Sequence, residues 1–107
     1  MTEHAGISSS FQAFLTEASE HQAAWMEAVQ KLGAASKLDP KTEELTYLAV
    51  LAASRMESGV PFHVKHAKAL GATREEIISA ILVGLPAVGQ SVIQSLPAAL
   101  AAYDMEE

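Results

Sequence analysis

The sequence predicts an all-α protein, a bundle of five or six helices, and three observations predict it. Half of the residues are hydrophobic; many are Ala and Leu, which favour helices, while the β-branched and aromatic residues that favour strands are sparse. The apolar residues recur at three- and four-residue steps rather than alternating. The punctuation is also that of helices, with Asp-Pro and Thr-x-x-Glu starts and glycine stops. At 107 residues, with no linker-like stretch, the chain reads as one domain over 1–107.

Residues 1–9 are small and polar and read as a frayed lead-in, until Ser9 or Ser10 offers a hydroxyl cap to a helix that starts near Phe11. Phe11, Phe14, Leu15, Ala18, Trp25, Val29 and Leu32 recur at helical spacing, with Glu17, Glu20, Glu27 and Lys31 between them. That spacing predicts one long amphipathic helix, ended by Gly33 in a left-handed conformation. Asp39-Pro40 starts the second helix, because Asp caps free amides and Pro at the first helical position loses nothing by lacking one. Glu43 and Glu44 then suit the positive end of the helix dipole. The run 45–56 is apolar on nearly every face, which places this helix at the centre of the core, and it ends at Ser58-Gly59.

Pro61 restarts the chain, and a short third helix carrying Phe62, His63, Val64, His66, Ala67 and Leu70 runs to Gly71. Thr73-Arg74-Glu75-Glu76 is a capping box, with Ala72 and Ile77 placed as a hydrophobic staple. Ile77, Ile78, Ile81, Leu82 and Leu85 fill the fourth helix until Gly84 and Pro86 break it. A last helix over 87–103 contains Pro97, which either kinks it or divides it.

Composition excludes several classes of function. The net charge is -6, with Lys and Arg at only seven positions and no basic cluster, so nothing here would neutralise a row of phosphates and no nucleic acid is expected as partner. The strongly apolar run 77–85 is far short of a membrane span, and Glu3 stands where a leader would carry basic residues, so no membrane association and a cytoplasmic location are expected. There is no cysteine, hence no disulfide, no thiolate ligand and no thiol nucleophile. A chain of this size buries only about two-thirds of the surface its unfolded form exposes, so its apolar share predicts self-association.

The order Glu44, Met56, Gly59, His63, Gly71 and Thr73-Arg74-Glu75-Glu76-Ile77, entered through Leu38-Asp39-Pro40, resembles the carboxymuconolactone decarboxylase and alkyl hydroperoxidase D-like family over about 38–85. In the thiol-active members of that family a Glu precedes a Cys-x-x-Cys pair and a His. Glu44 and His63 fall on that Glu and His, and Met56 and Gly59 on the two cysteines. The resemblance implies an alkyl hydroperoxidase D-like bundle and a homotrimer or a hexamer of trimers. Peroxidase and disulfide-reductase work needs an attacking thiolate and a resolving thiol, which a thioether or a hydrogen cannot replace. The decarboxylase branch does not depend on the cysteine pair, so acid/base chemistry by Glu44 and His63 would survive.

Each candidate residue has a plainer reading beside the chemical one. His63 stands near a helix start, where the dipole disfavours the imidazolium; it is either a neutral ring that accepts a proton or a packed ring bonded to a carbonyl. Glu44 is either a carboxylate at a helix end or the partner of His63, and contact between the two decides. His63 and His66 share a helix face and, with Glu57 or Glu44, could ligate zinc, but spacing leaves a third ligand open. No metal and no cofactor are therefore assigned. Tyr47, Met56, Phe62 and Trp25 are either core or pocket lining. Tyr47, Met56, Gly59, Phe62 and His66 form the candidate substrate-binding set. The expected function is proton transfer on a small organic acid or lactone, of decarboxylase or isomerase type. The alternative is a small-molecule-binding or structural oligomer without catalysis.

Overall fold

The computed structural model of the protein describes residues 8–106; of the lead-in expected over 1–9, residues 1–7 lie outside the described residues, while Ser8 and Ser9 already cap and open the first helix. Every element among them is helical: α1 (Ser9–Glu17), α2 (Ser19–Ala35), α3 (Pro40–Ala53), α4 (Val60–Ala69), α5 (Arg74–Leu82), α6 (Leu85–Val88) and α7 (Leu96–Asp104). A 3₁₀ turn, Glu57–Gly59, leads into α4, and a 3₁₀ segment, Gly89–Ser95, joins α6 to α7. Joined where they abut, these form six helical stretches, within the expected five or six.

The amino-terminal helix departs from the expected single rod. The cap is Ser8, whose Oγ accepts from the Phe11 amide at 3.1 Å. The rod is divided at Ala18 (φ -136°, ψ 57°), which closes α1 by donating to the Phe14 carbonyl and opens α2 by accepting from Gln22. α2 continues past Gly33 to Ala35, because glycine inside a helix costs only about 1 kcal/mol and does not enforce a stop. Its end falls at Ser36, whose Oγ accepts from the Leu38 amide.

α3 is the centre of the core, as its apolar run predicts, but on one face only. Leu48, Leu51 and Ala52 are buried while Val50 is exposed. Around them pack Val60, Val64 and Ala67 of α4, Ile77, Ala80 and Ile81 of α5, Val92, and Ala99 and Ala102 of α7. Neither α1 nor α2 buries a residue. Trp25 (57 % exposed), Tyr47, Met56 and Phe62 are accordingly surface residues rather than core, because the core is filled by the smaller side chains just named and these four lie outside it.

The capping box at Thr73 is present as expected. Thr73 Oγ1 accepts from the Glu76 amide at 3.0 Å and Glu76 Oε1 from the Thr73 amide at 2.9 Å, while Ala72 and Ile77 are both buried. Pro97 divides the last helix rather than kinking it: it sits in the first turn of α7, where a missing N–H leaves nothing unpaired. Taken whole, Arg74–Asp104 is long and apolar enough to cross a membrane by length and composition, well beyond the 77–85 run. In the fold it is broken by a turn at 83–84 and by Gly89 at φ 79°. The end of α7 is pinned to the α4–α5 turn. Arg74 grips Asp104 through two bonds of 2.9 and 3.0 Å, the Tyr103 hydroxyl donates to the Ala72 carbonyl at 2.9 Å, and Lys68 Nζ donates to the Tyr103 carbonyl at 2.7 Å.

Candidate functional site

A polar cluster stands where α3 crosses α4. Asp39 caps α3, accepting from the Thr42 amide at 2.9 Å, and Pro40 opens the helix. Glu44 lies in the second turn, not the first as the dipole argument assumed; Glu43 is the acidic residue of the first turn. Its carboxylate is therefore held by side chains rather than by free amides. α4 begins at Val60 with Pro61 in its first turn, and three-residue spacing puts His63 and His66 on one face.

Both rings turn to the same carboxylate. His63 Nδ1 lies 2.9 Å from Glu44 Oε1, and His66 Nδ1 lies 3.2 Å from Glu44 Oε2. Glu44 is 16 % exposed, His63 25 % and His66 51 % by side chain. Burial pushes the Glu44 carboxyl up, but the hydrogen bond and charge of His63, joined by those of His66, outweigh it and hold the carboxyl below the ordinary carboxylate range. An ionised carboxylate has only lone pairs to offer, so each Nδ1 must carry the proton it shares. In the neutral ring the free lone pair is then at Nε2, directed away from Glu44. This is the arrangement of an oriented base: a carboxylate fixes tautomer and angle, and the far nitrogen is left to exchange a proton.

The aromatic residues complete the setting. The Tyr47 ring lies 4.5 Å from the His63 ring, tilted by 55°, and Phe62 meets it edge-on at 5.2 Å. His63 is thus packed on two sides, while His66 opens onto a surface depression lined with Phe62, Lys65, Lys68 and Ala69.

Of the candidate residues, the structure brings together Glu44, His63, His66, Tyr47 and Phe62. Met56 is 57 % exposed, just past the end of α3. Gly59 sits in the 3₁₀ turn, where an added Cβ would meet only the methyl groups of Leu51 at 3.6 and 3.7 Å, an ordinary contact that leaves room for a side chain. No group of three or more His, Asp or Glu side chains among the described residues is arranged to hold a metal; both Nδ1 atoms are spent on Glu44. Sequence reasoning missed Lys65 and missed that His66 shares the Glu44 carboxylate. The signal available was the stripe 62, 65, 66, 69, which helical spacing places on one face of α4.

A family model described as carboxymuconolactone decarboxylase family matches residues 19–102, a span wider than the 38–85 segment that carries the resemblance in the sequence. No curated protein and no solved structure is found to match.

Proposed function

The chain belongs to the carboxymuconolactone decarboxylase family, and on that premise we propose that it transfers protons on a small organic acid or lactone, in a decarboxylation or isomerisation, with His63 as the base and Glu44 as its orienting partner. The observation that carries this reading is the 2.9 Å contact between His63 Nδ1 and Glu44 Oε1, which leaves Nε2 to work. In an isomerisation Nε2 takes a proton from one carbon and the imidazolium returns it to another. In a decarboxylation the carboxylate carbon leaves as CO2, the electron pair stays on the substrate carbon, and the imidazolium delivers the proton that quenches it. With no cysteine in the chain, peroxide reduction through its own thiols has no nucleophile and is not the activity proposed.

Self-association, as a trimer or a hexamer of trimers, belongs to the same proposal. α2 buries nothing within the chain and exposes Trp25, Val29 and Leu32 along one stripe, and an isolated helix of that length is marginal in water without a partner surface. A second reading, a ligand-binding oligomer without catalysis, draws on the exposure of Tyr47, Met56 and Phe62, which leaves the pair without an enclosing wall in one copy.

The test is a turnover screen over small carboxylic acids and lactones, followed by His63→Ala and Glu44→Gln. Loss of about 10²–10⁴-fold in each is expected for a general base and its orienting group. Full turnover in both variants would refute the assigned roles, and a bound ligand without turnover would favour the second reading.

A further inference from the structure

The two histidines on Glu44 differ in what lies beyond them. His63 is packed against the Tyr47 and Phe62 rings. His66 is half exposed and faces the depression formed with Phe62, Lys65, Lys68 and Ala69 on the outer side of α4. Two of the seven Lys and Arg residues of a chain with net charge -6 line this one depression, and no acidic side chain lines it. Lys68 is committed elsewhere, its ammonium bonded to the Tyr103 carbonyl at 2.7 Å and lying 4.7 Å from the centre of the Tyr103 ring. Lys31, Lys41 and Arg74 hold Glu27, Glu76 and Asp104. Lys65 has no hydrogen-bond or ion-pair partner among the described residues, and it is partly buried. An unpartnered ammonium beside an exposed aromatic face and an oriented imidazole is a seat for an organic anion: the charge meets Lys65, the hydrocarbon lies on Phe62, and His66 lines the same depression.

We propose that Lys65 is the residue that selects an anionic ligand, binding its carboxylate in the depression on α4, and that His66 is the second imidazole to face that ligand. The proposal rests on the proton-transfer reading above and adds to it the place where the acid sits and the charge that recognises it. A carboxylate at Lys65 gives the substrate one fixed end. Its apolar body then spans toward the Glu44 pair, which separates selection from chemistry within a single turn of α4.

The probe is benzoate, with benzamide as the uncharged control of the same shape, followed through the backbone amide signals of the whole protein by NMR. Benzoate is expected to move the signals of residues 62–69, with benzamide much weaker. Lys65→Gln should weaken benzoate about 10-fold, the worth of one charge-assisted hydrogen bond. Lys65→Arg should restore most of the binding, and Lys37→Gln, which removes an exposed cation elsewhere, should change nothing. Because Lys65 has no partner to lose, its variants should keep the wild-type circular dichroism. Benzoate that leaves residues 62–69 unmoved, binds Lys65→Gln as it binds the wild type, or is matched by benzamide would overturn the proposal. Binding is read here without turnover, so the two ideas fail separately. Unchanged catalysis in His63→Ala removes the proton-transfer reading and leaves the seat, whereas unchanged benzoate binding in Lys65→Gln removes the seat and leaves the reading.

Discussion

Arg55 and Gly71 occupy the same place in two copies of one helix-end motif. After α3, the Met56 amide donates to the Leu51 carbonyl and the Arg55 amide to that of Ala52; after α4, Ala72 donates to Ala67 and Gly71 to Lys68. This is the Schellman arrangement, whose penultimate residue must take a positive φ. Gly71 does so at 101° and Arg55 at 60°. Glycine adopts such angles freely, whereas an L side chain crowds its own carbonyl.

The two positions should therefore respond in opposite directions. Arg55→Gly is expected to stabilise the fold by about 1 kcal/mol, and Gly71→Ala to destabilise it by about 1 kcal/mol, although an added Cβ at Gly71 would meet nothing within 4 Å. Chemical denaturation of both variants checks the pair, and a destabilised Arg55→Gly would show that the arginine side chain contributes a contact.

Acid should loosen the α3–α4 crossing. The Glu44 carboxyl is held below its ordinary range, burial opposing and His63 and His66 prevailing. A carboxyl depressed in the folded state adds stability that is complete above its unfolded pKa of about 4.3 and is lost as pH falls through the folded value. Asp39, Glu76 and Asp104 are depressed as well, through the Thr42 amide, the Thr73 amide and the Arg74 guanidinium respectively, so the acid limb is shared. Glu44→Gln should make stability fall less steeply below about pH 4.3, measured as midpoint against pH, with His63 and His66 released from their common anchor. An unchanged slope would mean that Glu44 is not depressed.

The exposed stripe on α2 should govern assembly. Trp25→Ser combined with Leu32→Ser is expected to lower the mass seen by light scattering toward that of one chain while leaving helicity largely intact, since neither side chain is buried within the chain. An unaltered mass would place the interface elsewhere.

Local and tertiary contributions to α5 can be separated at its start. Thr73→Ala removes one cap and should cost about 1 kcal/mol. Ile77→Ala, at a side chain with no exposure, should cost about 3 kcal/mol through lost burial and the cavity left behind. Urea midpoints read both, and a larger loss at Thr73 than at Ile77 would contradict this assignment.

Those helix starts were legible in the sequence because their forces are local. Asp39-Pro40 and Thr73-Arg74-Glu75-Glu76 satisfy amides within three residues, so no knowledge of the rest of the fold is needed, and the absence of thiol and disulfide chemistry by the chain's own side chains follows from composition alone. The spacing of α2 likewise announced an apolar stripe, but not that Trp25, Val29 and Leu32 would stay exposed. Spacing measures which residues share a face, and the faces of Trp25 and Phe62 turned out to look outward. Gly33 misled because a single glycine weakens a helix without ending it.

The sequence by itself determined the helical class, the caps at Asp39 and Thr73 and the two titratable groups, Glu44 and His63, available for chemistry. Only the tertiary structure decided that these two meet, that His66 joins them on the second carboxylate oxygen, and that Lys65, beside His66, has no partner among the described residues. The physical reason is range: a cap is closed by neighbours along the chain, whereas Glu44 and His63 are nineteen residues apart and touch because buried Leu48, Leu51, Val60 and Val64 set how α4 lies across α3.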